Sequence, residues 1–313
     1  MDYLVTGCTR LNDIHYADGR KVEGILGGAL YTAAGIKPFT DSVLLVSTVG
    51  PDFDTYYGGY FRQNGLSTAG LQWVLPKTEY TFLEYHADGR WWEYSKYGQS
   101  FTDTWGETAL IQAAFILAHA SPQTKGIYLE SSVQEAVWQG LDDIRKAAPN
   151  AKIMWEVATG DANDPRLREQ VAELIRQCDI YSINLPESMA FFGSESEAES
   201  IQRILAFGRP CFFRVGEKGA YMIENGQAWF APAVQVEKSV DATGCGNCST
   251  GTALYGFCEQ LHPLKTVLLA NRAAHLNALQ YGPYPHFTAD LRQALFTGME
   301  AEFLRRMEEK NVP

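Results

Sequence analysis

VDATGCGNCSTGTALYGF, residues 240–257, sets Gly244, Gly246 and Gly251 in a short loop that runs straight into an apolar helical pattern. A glycine-rich turn feeding a helix N-terminus offers backbone N–H groups and the positive end of the helix dipole to an anion, so the stretch reads as a phosphate cradle. No G-x-x-x-x-G-K-[ST] loop occurs in the chain, and the glycine spacing and C-terminal position differ from a dinucleotide fingerprint. On glycine content alone a plain strand-to-helix turn is the better reading, so the rest of the chain has to decide.

Upstream of this stretch, apolar runs alternate with helix-like segments, the pattern of a parallel sheet with crossover helices. The candidate strands are 3–7, 42–50, 113–120, 126–130, 151–157, 179–184 and 210–216, separated by amphipathic stretches at 53–65, 132–149 and 164–178. Downstream the chain is mainly helical, near 247–260, 264–281 and 287–309. Two segments interrupt the rhythm: 13–28 and 79–97 each hold Asp-Gly between alternating flanks, the strongest short-range hairpin signal. They read as β excursions that form a small separate sheet. The aromatic density of the second, from Tyr80 to Tyr94, asks for a cover, with a lid and a dimer interface as equal contenders.

Length and composition narrow the rest. A chain of 313 residues, 46% hydrophobic and 20% charged, is an ordinary globular one, expected to form a single domain over 1–313. A formal net charge of −11 with scattered basic residues gives no footprint for nucleic acid or an anionic membrane. The start MDYLVTGCTR lacks the basic-then-apolar layout of a secretory signal, and no run approaches a membrane span, so a cytoplasmic location is expected. Six cysteines do not make a disulfide scaffold here, and the C-x-x-C of Cys245 and Cys248, with no second pair or nearby His, is weak evidence for zinc or redox chemistry. His86, His119 and His275 are isolated and carry no assignment, while Trp91 and Trp92 read as packing or interface residues.

Asp241-Ala-Thr243-Gly244-Cys245-Gly246-Asn247 resembles the D-T-x-G-A-G-D signature of the PfkB, or ribokinase-like, carbohydrate kinases. Three more matches follow in the family's order: Gly27-Gly28-Ala29 is similar to its substrate motif, Asn184-Leu-Pro-Glu187 to its N-x-x-E motif, and Arg214-Val-Gly216-Glu-Lys-Gly219 to its nucleotide-side strand and turn. Any one would be weak, but the ordered set spans nearly the whole chain. The resemblance implies a three-layer α/β/α sandwich with a mostly parallel central sheet and a small β lid from about 9–27 and 78–97. It implies ATP and Mg²⁺ as cofactors, with a sugar or nucleoside hydroxyl as phosphoryl acceptor. Gly244, Cys245 and Gly246 would form the anion hole. Asn184, Glu187, Gly216, Gly219, Asp241, Thr243, Asn271 and Ala274 would lie on the nucleotide side, Glu187 near the metal. Gly27, Gly28, Thr32 and either Asn12 or Asp13 would hold the substrate, with Asp13 preferred.

The departure lies at Asn247, where the family carries its general base. A carboxamide has no useful basicity and can only orient a hydroxyl. Losing such a base typically costs ~10²–10⁴ in rate, about 3–5 kcal/mol of barrier. Phosphoryl transfer depends heavily on positioning and electrostatics, so slow turnover survives that loss. The rival reading is a catalytically impaired relative that keeps the pocket for binding or regulation.

Overall fold

The computed structural model describes residues 1–87, 90–235 and 239–310. The chain opens with strand β1 (Tyr3–Thr6), a hairpin of β2 (Thr9–His15) and β3 (Lys21–Gly28), helix α1 (Leu30–Ile36), and β4 (Val43–Val49). Helices α2 (Phe53–Tyr56) and α3 (Gly58–Asn64) lead to β5 (Leu71–Trp73) and a second hairpin, β6 (Glu79–Tyr85) and β7 (Trp91–Ser95). Next come α4 (Gln99–Ala109), α5 (Ala113–Leu117), β8 (Gly126–Glu130), α6 (Leu141–Ala147) and β9 (Lys152–Glu156). They are followed by α7 (Thr159–Asn163), α8 (Arg168–Gln177), β10 (Ile180–Asn184), α9 (Leu185–Phe192) and α10 (Glu197–Phe207). The chain then forms β11 (Cys211–Arg214), β12 (Gly219–Glu224), β13 (Gln227–Pro232), α11 (Cys245–Cys258), α12 (Pro263–Asn277) and α13 (Ala289–Lys310).

Among the described residues, nine strands form one sheet in the order β13-β12-β11-β10-β9-β8-β1-β4-β5, parallel from β11 to β5 and antiparallel at β12 and β13. Strands β1 and β4 are buried at every position, as a sheet covered on both faces requires. Alternate residues feed two cores: Leu4, Leu44, Ile127 and Trp155 on one face, Tyr3, Leu45, Tyr128 and Met154 on the other. On the second face α1 and α11 touch backbone to backbone. A Cβ at Gly35 would run into the Cys248 carbonyl and one at Gly251 into the Thr32 carbonyl, and this close approach fixes where α11 begins.

The small sheet is separate, in the order β3-β2-β6-β7. Its hairpins are the two read from sequence, joined by a parallel β2–β6 pairing. Gly19, at φ 87°, closes the first, and the Asp88-Gly89 turn of the second lies outside the described residues. The run 113–120, expected as a strand, is instead helical over Ala113–Leu117. Alanine favours helix and brings no β-branched bulk to pack on a sheet, and Ile116 is the one residue of that helix that is buried. No described helix is long and apolar enough to cross a membrane.

Candidate active site

The parallel strands end in polar residues on one rim of the sheet: Glu130 on β8, Glu156 on β9, Asn184 on β10 and Arg214 on β11. This rim, outside the carboxyl ends of the strands, is where an open α/β sheet binds ligands. The N-terminus of α11 points into it. Gly244 caps that helix in the left-handed region, φ 77°, and the first N–H groups of the helix, those of Gly246 and Asn247 included, lack intrahelical acceptors.

Two cavities meet across this turn. The larger, about 720 Å³, lies between the β11–β12 turn and α12, with Asn184, Gly216, Gly219, Cys245, Gly246 and Ala274 in its wall. Arg214 is the one Lys or Arg among the described residues that line it. The smaller, about 240 Å³, lies under the small sheet, lined by Arg10, Asn12, Gly28, Tyr31, Leu83, Tyr85, Trp91, Glu93, Thr243, Gly244 and Asn247. Gly244 and Asn247 therefore face one cavity, and Cys245 and Gly246 the other.

Neighbouring residues shape the turn. Asp241 Oδ1 accepts from the Thr243 N–H (3.0 Å) and hydroxyl (2.8 Å), and Asn277 Nδ2 donates to the Thr243 carbonyl at 2.9 Å. The Tyr85 hydroxyl lies 2.9 Å from Thr243 Oγ1, which ties the small sheet to the turn. A Cβ at Gly244 would enter the Tyr31 ring. Gly244→Ala is therefore expected to cost about 2–4 kcal/mol, combining left-handed strain with overpacking, and to close the turn. Urea unfolding and nucleotide calorimetry on the variant measure the two effects.

Charge is concentrated around Arg214. It hydrogen-bonds Glu156, lies 3.9 Å from Glu187, and its Nη1 packs where a side chain on Gly246 would stand. Burial works against its charge, but Glu156 and Glu187 outweigh burial and keep the guanidinium protonated. Arg10 is fixed between Glu93 at 2.5 Å and Glu79 at 3.4 Å. Burial pushes Glu130 up to about 7. Arg10 pulls it down, Glu156 and Glu93 add to the rise, and the Asn247 side chain lowers it.

Of the residues expected at the site, Asn12, Gly28, Thr243, Gly244 and Asn247 line the smaller cavity, and Asn184, Gly216, Gly219, Cys245, Gly246, Asn271 and Ala274 the larger. Asn271 spends its amide on the Ala231 and Pro232 carbonyls, pinning the end of β13 to α12. Asp13, preferred over Asn12, is not among the lining residues: it sits at a bulge in β2, and its carboxylate accepts from Lys96 Nζ (2.6 Å), the Tyr80 hydroxyl (2.7 Å) and the Gly24 N–H (2.9 Å). Burial alone would raise Asp13, but these donors hold it below the usual carboxylate range. Thr32 is buried against α11 and Gly27 behind Asn12, so neither lines a cavity.

Asn184 and Glu187 form a reciprocal capping box at the start of α9, with both hydrogen bonds at 2.9 Å, and Thr159 donates to the other Glu187 oxygen at 2.7 Å. Among the described residues no cluster of three or more His, Cys, Asp or Glu could hold a metal. All six cysteines are free, and burial pushes the Cys245 thiol up to about 11, which leaves it neutral. Sequence reading missed Arg10, Glu93, Glu130 and Glu156 and took no role from Arg214. The signal available was a charged last residue on each of three buried runs, GIYLE, KIMWE and CFFR.

Residues 8–289 match the profile described as the pfkB family carbohydrate kinase. No curated protein sequence matches the chain. Among solved structures, a probable sugar kinase from Rhizobium etli is similar, with TM-score 0.73 and 19% identity over 95% of this chain and 98% of that one. The Burkholderia thailandensis nucleoside kinase in complex with inosine gives 0.73 and 17%, over 96% and 97%. The Vibrio cholerae fructokinase with fructose, ADP and calcium bound gives 0.70 and 17%, over 94% and 98%. The fold is thus ribokinase-like, with helices on both sides of a large, mostly parallel sheet and a small sheet apart from it.

Proposed function

Because the chain belongs to the pfkB family of carbohydrate kinases, we propose that it transfers the terminal phosphoryl group of ATP to a hydroxyl of a sugar or nucleoside-like molecule. The observation that carries this reading is the pair of cavities meeting across the Gly244–Gly246 turn, with a helix N-terminus and Arg214 at the junction. ATP occupies the larger cavity, its base toward α12 and its terminal phosphate at the turn, where N–H groups and the guanidinium stabilise charge. The acceptor occupies the smaller cavity. Arg10, Asn12 and Glu93 offer hydrogen bonds to hydroxyls there, and Tyr31, Tyr85 and Trp91 offer faces for a ring.

The small sheet, over 9–27 and 78–97, then acts as a lid on a single domain. The expected dimer contact would form on Trp92 and Tyr94, which are exposed on its edge strand β7. Glu156 Oε2 is buried without a partner, and with Glu187 it would hold Mg²⁺ against the ATP phosphates. Bound there, the cation neutralises phosphate charge.

Asn247 favours a second reading, a relative that binds nucleotide and acceptor without turning over. An ATP-consumption screen over sugars and nucleosides, run on the native chain and on Asn247→Asp, separates the two. Turnover by the native chain is the expected result; turnover confined to Asn247→Asp identifies the binding role.

A further inference from the structure

The underside of the small sheet over the acceptor cavity is made by two cross-strand pairs, Leu83 opposite Glu93 and Tyr85 opposite Trp91. These side chains share one face because they alternate along β6 and β7. Tyr85, the last residue of β6, also reaches Thr243, with 2.9 Å between the two hydroxyl oxygens. The direction of that bond follows from counting protons. The Thr243 hydroxyl has a single proton, which goes to Asp241 Oδ1 at 2.8 Å, so Tyr85 is the donor. Thr243 is thereby held through all of its polar groups: its N–H by Asp241 Oδ1, its carbonyl by Asn277 Nδ2, and its hydroxyl by Asp241 and Tyr85. Asp241 precedes α11 and Asn277 ends α12, on the main body; of these anchors only Tyr85 belongs to the small sheet. Gly244, the next residue, caps α11, so a hold on Thr243 is a hold on the N–H groups of the turn. Tyr16, just after β2, stacks on Tyr85 with ring centroids 5.8 Å apart and planes at 13°, which joins the first hairpin to the same contact.

Resting on the kinase reading, we propose that Tyr85 is a positioning residue that latches the small sheet to the anion turn through Thr243, and so makes acceptor and nucleotide bind cooperatively. An acceptor held between the underside of that sheet and the residues of the turn favours the latched arrangement. The latched arrangement keeps Thr243, and with it the N–H groups beyond Gly244, where they receive the terminal phosphate. By linkage the nucleotide then favours acceptor binding by the same factor. That factor is the worth of one net hydrogen bond, about three- to tenfold in affinity. Tyr85 takes no proton from the substrate; it acts through Thr243.

The test measures by calorimetry the affinity for β,γ-methylene-ATP with Mg²⁺, alone and with saturating inosine, adenosine, ribose or fructose. In the native chain at least one of these acceptors is expected to tighten the nucleotide about three- to tenfold. Tyr85→Phe keeps the ring and its stacking on Tyr16, and thermal melts confirm its folding. It is expected to abolish the tightening, whereas a merely structural defect would weaken nucleotide binding equally with and without acceptor. Thr243→Val removes the same contact from the other side, and Tyr85→Phe added to it should change the tightening no further. A Tyr85→Phe chain that keeps the native tightening overturns the proposal. So does a further loss when Tyr85→Phe is added to Thr243→Val, and so does a native chain whose nucleotide binding none of the four acceptors tightens. In each of these cases turnover of an acceptor by the native chain or by Asn247→Asp leaves the kinase reading standing, whereas no turnover by either chain and no binding heat with the analogue removes that reading as well.

Discussion

Arg214→Leu is expected to destabilise the fold by about 3–5 kcal/mol, because it leaves Glu156 buried without its cation. The arginine and Glu156 side chains are only 14% and 12% exposed, and Glu187 beside them 5%, so water cannot take over the lost interaction. Arg214→Leu combined with Glu156→Leu should recover most of the loss, since an apolar pair of similar volume is often neutral in place of a buried ion pair. Nucleotide binding should not recover. In Arg214→Leu, with the charge beside Gly246 gone, affinity for ATP should fall about ten- to hundredfold, more than for ADP, the equivalent of a charge-assisted hydrogen bond of about 1.5–3 kcal/mol, and the double variant, which also lacks the Glu156 carboxylate proposed for Mg²⁺, should bind no better. Urea midpoints and calorimetry on the three proteins check both halves. A double variant that binds ATP as the native chain does would make Arg214 a structural residue only.

The second large effect is a pH dependence of stability set by Glu130. Burial raises its folded-state value to about 7 from an ordinary 4.5. The folded chain therefore holds a proton that the unfolded chain has released, and the contribution of Glu130 to stability is complete below pH 4.5 and lost as the pH rises through 7. At about 1.4 kcal/mol per pKa unit, the native chain should lose about 2–3 kcal/mol between pH 5 and pH 8 relative to Glu130→Gln, which has no proton to release. Urea unfolding of both proteins at the two pH values gives the difference directly, and parallel curves would show that Glu130 titrates normally.

Much of this architecture is legible along the chain because its causes are local. VLLVSTV is buried at every position and KIMWE through its central Ile-Met-Trp, on both faces, which only a covered parallel sheet accommodates. The Asp18-Gly19 turn sets its hairpin within a few residues, and the glycines before α11 announce an anion site because turn and helix start are contiguous. What the linear chain leaves open is convergence. Glu130, Glu156 and Arg214 belong to different strands, and only the order β8-β9-β10-β11 brings their ends to one rim. Asn12 and Asp13 show the same limit at its smallest scale. Adjacent residues of a strand face opposite sides, so the pairing of β2 with β6 and the bulge opposite β3 decide that Asn12 meets the cavity while Asp13 turns to Lys96. Local pattern dictates which segments become strands, helices and turns; register and strand order dictate which side chains meet, because those depend on contacts between residues far apart in the chain.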